Sequence, residues 1–246
     1  GSDGRRDTHR RSVHELCLRH PWRRTGDQRV SSCFRLPIPG GRARGRQRLG
    51  VSSDAAHPRP VVLVHGTWEG AFSTFARLSP ALKRAGFCVF TQNYGRGGIA
   101  EGGALSVIPG LYGTGPVEDS TQQLAQFVQR VRQATGASQV DAIGHSQGGV
   151  LIRRYLKYKG GADPADPAHN VIAHVVTLGA TNHGTTLSGP GALAAVLRDA
   201  GVNVQPSITA IAGSAGYEQL VGSSMITELN RGGETFAGVD YTVIGT

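Results

Sequence analysis

The 246-residue sequence is poor in aromatics (6%), has one Met and three Cys, and contains no uninterrupted apolar run of bilayer length. Each scarcity excludes something. A membrane-spanning helix needs about 20 consecutive apolar residues, and none is present. A secretory leader needs a basic start followed by an apolar stretch of about 7–15 residues. The N-terminus has the first and lacks the second, so no signal peptide is visible in this chain. Cys17, Cys33 and Cys88 form no metal-ligand spacing and cannot all pair with one another, which leaves the redox compartment open. Lys is absent from the first 60 residues, yet these hold 14 Arg against five acids, a net of +9. Residues 61–246 hold 12 basic and 12 acidic side chains. The neutral remainder therefore offers no electrostatic case for a nucleic-acid-binding domain.

The first segment, residues 1–56, differs in character from the rest. Its Arg clusters (Arg5-Arg6, Arg10-Arg11, Arg23-Arg24, then Arg42, Arg44, Arg46 and Arg48) fall among Gly, Ser, His and Pro. No period of 2 or 3.6 is sustained, so no face is available to bury. Three readings compete: a disordered basic tail, non-native text such as out-of-frame translation of GC-rich DNA, and an arm for anionic membranes or nucleic acid. The last has least support, because neither aromatic interleaving nor helical amphipathicity accompanies the charge.

From His57 onward, strands and helices alternate. Val61–Val64 is a β-branched run suited to a strand buried on both faces. Phe72–Ala85 reads as one helix closed by Gly86, Phe87–Phe90 as a second buried strand, and Asn93–Gly115 as a Gly-rich loop. Pro116 suits the first position of the next helix, with Glu118 and Asp119 at its positive end and Arg130 and Arg132 at the other. Val117, Thr121, Leu124, Val128 and Val131 form its buried stripe. Further strands are expected at Val140–Ile143, Val171–Leu178 and Tyr241–Ile244, with a helix over Val150–Tyr158. Repeated strand–helix units with buried strands predict an α/β fold with a mostly parallel sheet and helices on both faces.

The chemistry concentrates at Gly144-His145-Ser146-Gln147-Gly148-Gly149. A strand runs in and a helix runs out, so a Gly-x-Ser-x-Gly turn there would hold Ser146 in a strained conformation at the sheet edge. Gly144 and Gly148 would lack side chains because the two arms of the turn crowd together. The competing reading, a Gly-rich packing turn, is disfavoured by the flanking elements. A second turn, His65-Gly66-Thr67-Trp68, ends the first strand. Acyl transfer needs two N–H donors aimed at the developing oxyanion, and Gln147 and Thr67 are the candidates.

These segments, together with Phe87–Gly95, Tyr112–Ser120 and Thr181–Leu187, resemble bacterial, notably actinobacterial, extracellular triacylglycerol lipases and esterases of the α/β-hydrolase fold. The resemblance covers about residues 55–246. It implies a hydrolase of lipid or other esters with a Ser146 nucleophile, no metal and no cofactor. It also implies an extracellular location, no nucleic-acid partner and transient contact with a lipid interface. Oligomeric state is left unspecified. His65, Trp68, His183 and Leu187 are candidate walls of the substrate site, and the insert 184–226 is a candidate lid. Cys88 resembles a position that is disulfide-bonded in such enzymes, although no Cys stands just upstream of His57.

Such a serine requires a base and an orienting acid. The family places the acid just after the strand read here at Tyr241–Ile244 and the His on a later loop. The present sequence stops at Thr246 and contains neither, so a C-terminal strand and helix are expected to be missing and turnover to be weak or absent. Among residues in hand, His183 is the best substitute base. His65 and His145 are expected to aim away from the hydroxyl. Asp141 is expected to point into helix packing, and Asp240 to lie at the wrong end of the sheet. A non-catalytic lipase-like remnant that binds lipid or another ligand is the alternative.

Overall fold

The apolar β-branched runs form the middle of a five-stranded parallel sheet. The computed structural model describes residues 56–187 and 190–245, without the side chains of residues 190–192, 194 and 195. The expected Arg-rich tail lies outside the described residues except for Ala56. The strands are β1 (Val61–Val64), β2 (Val89–Thr91), β3 (Val140–His145), β4 (Ile172–Leu178) and β5 (Asp240–Ile244), in the order β2-β1-β3-β4-β5. β1 is buried along its whole length because it is flanked on both sides and covered on both faces. The strand expected from Phe87 begins instead at Val89, where pairing with Val61 starts. Phe87 stacks on His57.

Helices cover the two faces unequally. α1 (Ala71–Phe75) and α2 (Leu78–Arg84) lie over β1 and β2, packing Phe75, Leu78 and Leu82 against Val61, Leu63 and Ile143. The single helix expected over Phe72–Ala85 is thus two. Pro80 has no N–H to bond Ala76, and its ring would clash with that carbonyl, so the helix restarts with proline in its first turn. The Gly-rich loop contains a short helix, α3 (Ile99–Gly102).

On the opposite face, α4 (Val117–Thr135) and α5 (Gln147–Tyr158) cover the larger core. Pro116 is the residue before α4 rather than its first. The expected stripe of Val117, Thr121, Leu124, Val128 and Val131 is buried, each large aliphatic side chain contributing about 1.5–3 kcal/mol. Gly136 ends α4 at φ 73°, its N–H donating to Arg132 O at 2.8 Å. Glu118 at the start of α4 also pairs with Arg154 (2.6 Å) and Lys159.

The alternation of β3 explains a second correction. Val140 and Ala142 enter the core beneath α4 and α5, so Asp141, Ile143 and His145 point to the other, less covered face. Asp141 is therefore not in helix packing. It accepts from Arg59 Nε (2.7 Å) and lies 3.0 Å from His174 Nδ1, while His174 Nε2 reaches Asp240 at 2.8 Å. This cluster sits at the strand beginnings, the end of the sheet where Asp240 was expected.

After β4 the chain forms α6 (Pro190–Asp199), α7 (Gln205–Ala212), α8 (Ser214–Glu218) and α9 (Ser224–Asn230) before returning as β5. Among the described residues β5 pairs only with β4, and Val243 and Ile244 are exposed. The strand order reverses direction between β1 and β3. In open α/β sheets, ligands bind beyond the carboxyl ends of the strands at such a point.

Candidate active site

β1 and β3 are neighbours with Val64 opposite Gly144, so the turns that follow them emerge side by side. Ser146, between β3 and α5, has φ 50° and ψ −121°. A non-glycine residue held there costs about 1–3 kcal/mol and persists only where its surroundings impose it. Here they do. Its N–H donates to Leu178 O at 3.0 Å, and its carbonyl accepts from Gly149 N at 3.1 Å. A Cβ on Gly144 would lie 2.5 Å from Gly148 C, and one on Gly148 would lie 2.0 Å from Val64 O. Both glycines are demanded by backbone contact.

The β1 turn closes against this one. A Cβ on Gly66 would lie 3.0 Å from Ser146 Cβ. The next residue, Thr67, and Gln147 at the start of α5 are the two expected amide donors. Among the described residues, neither amide donates to a protein acceptor. The Gln147 side chain is fully buried and donates to Gly113 O at 3.3 Å. Thr67 Oγ1 accepts from Gln219 Nε2 at 2.8 Å, and the same nitrogen donates to Ala215 O at 2.9 Å. Gln219 Oε1 accepts from Thr181 at 2.9 Å. Trp68, at φ 57°, donates its indole N–H to Ala212 O at 2.9 Å. The β1 turn is therefore fastened to α7 and α8.

The histidines separate into distinct environments. His65 has no exposed surface and stacks on Tyr94 at 4.0 Å between ring centroids. Its Nδ1 donates to Gly66 O at 2.8 Å, and its Nε2 accepts from Tyr94 N at 3.4 Å, which fixes a neutral tautomer. Burial brings its pKa down to about 4. His65 therefore supports the turn from beneath and cannot be the substrate wall expected of it. Tyr94 donates to His65 O, and burial pushes its hydroxyl pKa far up.

His145 lies 3.0 Å from Glu69 Oε2, and this hydrogen bond raises its pKa against the opposing effect of burial. Burial would also raise the pKa of Glu69, but hydrogen bonds from His145, Thr74 and Gly66 outweigh it and bring the carboxyl to about 2. His183 stands exposed on the loop after β4, its Nε2 3.2 Å from Glu234. Leu187, at φ 49°, is half-buried, and its N–H donates to Thr185 Oγ1 at 3.1 Å. Among the described residues no imidazole hydrogen-bonds to the Ser146 hydroxyl. No cluster of His, Cys, Asp or Glu suited to a metal ion occurs among them either.

Sequence reasoning missed Glu69 and Gln219. Glu69 directly follows the His-Gly-Thr-Trp run, so its nearness was available as a signal. Gln219 is 152 residues from Thr67, and nothing local marks it.

Residues 58–246 match the model of the family described as lipase (class 2). The chain belongs to the class 2 lipase family. A triacylglycerol lipase of Pseudomonas fragi is 29% identical over 154 residues, covering 61% of this chain and 44% of that protein. The class 2 lipase chain described here thus spans under half the length of that relative. Aspergillus fumigatus lipase B superposes with a TM-score of 0.53 at 18% identity, over 89% of this chain and 47% of that one. The mature form of a Bacillus licheniformis lipase gives 0.50 at 18% identity, over 79% and 67%. At these identities the likeness establishes the fold, which is that of the α/β-hydrolases.

Proposed function

We propose that this chain carries the acyl-transfer site of a triacylglycerol lipase or esterase, with Ser146 as nucleophile. The observation that supports this most is the positive-φ serine between β3 and α5, pressed against Gly66 of the β1 turn. In this reading Ser146 Oγ attacks the ester carbonyl and the Thr67 and Gln147 amides stabilise the oxyanion. The alcohol leaves with the proton given up by the Ser146 hydroxyl, and water then releases the acid from the acyl-serine and returns a proton to Ser146. No metal or cofactor enters. The substrate is a lipid or other carboxylic ester met outside the cell, without a nucleic-acid partner. Residues 184–226 act as a lid or acyl-chain wall, with Trp68, His183 and Leu187 near the substrate, and touch lipid interfaces transiently.

Because no described imidazole reaches Ser146, the 246-residue chain should turn over poorly by itself. Oxyanion stabilisation and binding without a complete triad yield only about 10³–10⁴-fold over water. The test is a fluorophosphonate probe combined with a p-nitrophenyl ester assay. The expected result is slow labelling of Ser146, absent in Ser146→Ala, with ester turnover no higher than that residual level. A folded chain that never labels would favour the non-catalytic reading, a lipase-like module that binds lipid or another ligand. Fast ester hydrolysis lost in Ser146→Ala would overturn the expected low turnover.

A further inference from the structure

The two turns of the site are joined by a carboxylate with no part in the reaction outlined above. Glu69 Oε2 accepts from Gly66 N at 3.2 Å, from Thr74 Oγ1 at 2.6 Å and from His145 Nδ1 at 3.0 Å. Gly66 precedes Thr67 in the β1 turn, and His145 precedes Ser146 in the β3 turn. One oxygen therefore connects the backbone that presents one oxyanion donor to the residue beside the nucleophile. Thr74, in α1, anchors it to the sheet's covering helix. Space around Gly66 is tight, since a Cβ there would meet Ser146 Cβ at 3.0 Å and Glu69 Oε2 at 3.1 Å.

We propose that Glu69 is a positioning residue that clamps the Gly66–Thr67 turn to the His145–Ser146 turn and so sets the spacing between nucleophile and oxyanion donors. This rests on the reading of Ser146 as nucleophile. Two features favour a clamp over an incidental surface pair. Three donors converge on a single oxygen, and both side chains are partly shielded, at 36% (His145) and 30% (Glu69) exposure. The other charged or titratable groups facing the pair are His65 and Tyr94 beneath the turn and Arg77 across the adjoining cleft. His65 is neutral and Tyr94 un-ionised near neutral pH, so Glu69 is the charge that acts on His145.

The test compares Glu69→Ala and Glu69→Gln with the parent chain by amide hydrogen exchange, His145 titration by NMR and fluorophosphonate labelling. Loss of hydrogen bonds to a charged acceptor should make Gly66 exchange at least about tenfold faster in Glu69→Ala, with Val62 in β1 unchanged. Glu69→Gln retains an acceptor and should restore most of that protection, while His145 titrates at lower pH than in the parent. Ser146 labelling should slow by about tenfold in the Ala variant and less in the Gln variant, as expected for a displaced donor. Gly66 exchange within about twofold of the parent in Glu69→Ala would overturn the clamp. If that variant does not fold, an unchanged His145 titration in Glu69→Gln would overturn it instead. If the exchange pattern appears but no form labels, the clamp stands and the assignment of Ser146 as nucleophile fails.

Discussion

Two regions of the molecule are built on different principles. The β1 and β3 turns are defined by backbone crowding, with glycines that admit no side chain and a serine at positive φ. By contrast, α6 and α7 carry apolar side chains, including Leu193, Val196 and Ile211, that are largely exposed. Of these two helices, α7 is tied to the β1 turn through Trp68, whose indole N–H donates to Ala212 O. The contrast is one of packing: backbone contact leaves the turns no room to shift, whereas the exposed faces of α6 and α7 have no such constraint.

Mutations can sharpen or break this contrast. Gly148→Ala should have the largest effect. A methyl 2.0 Å from Val64 O cannot be absorbed without separating α5 from β1. We expect a loss above about 4 kcal/mol, or no soluble protein, in urea denaturation. Near-native stability would show that the turn is softer than described.

Next comes pH. His65 is neutral in the folded chain with its pKa at about 4, whereas the unfolded imidazole takes a proton near 6.5. Between those values the unfolded state binds more protons. The His65 contribution should therefore be nil above about pH 6.5 and lower stability by roughly 3 kcal/mol as pH drops toward 4. Denaturation midpoints measured across that range should slope for the parent chain and be flatter for His65→Gln. An equal slope in both would place the sensitive group elsewhere.

Ser146→Gly should act in the opposite direction, raising stability by about 1 kcal/mol through relief of the positive-φ strain while abolishing fluorophosphonate labelling. Destabilisation would contradict strain at Ser146. Smallest is Ile211→Ser on α7, whose side chain is 64% exposed. Its stability should change by no more than about 0.5 kcal/mol. A larger loss would show that α7 packs as tightly as the turns.

The legibility of the sequence follows the same division. β1, the stripe of α4 and the Gly-x-Ser-x-Gly turn are local patterns, readable from periodicity and flanking residues. The break between α1 and α2 was visible in Pro80 but yielded to the apolar pattern around it. The position of Asp141 is not legible in the sequence because its strand is covered on one face more fully than on the other. His65 reads as a wall because its motif lies beside the site, whereas its imidazole is turned inward onto Tyr94. Gln219 escaped notice because a side-chain amide reaching across 152 residues leaves no trace in spacing or composition.

Every strand pairing in this sheet is long-range, and that has a kinetic consequence. β1 first meets β2 at Val61 opposite Val89, but it meets β3 only at Val61 opposite Asp141. β4 meets β5 at His174 opposite Asp240. Parallel strands always require such crossovers, and each closure must be made before its contacts repay the lost chain entropy. The chain should accordingly fold slowly. During synthesis, the Ser146 turn can acquire its shape only after β3 has emerged and docked beside a β1 made some 80 residues earlier.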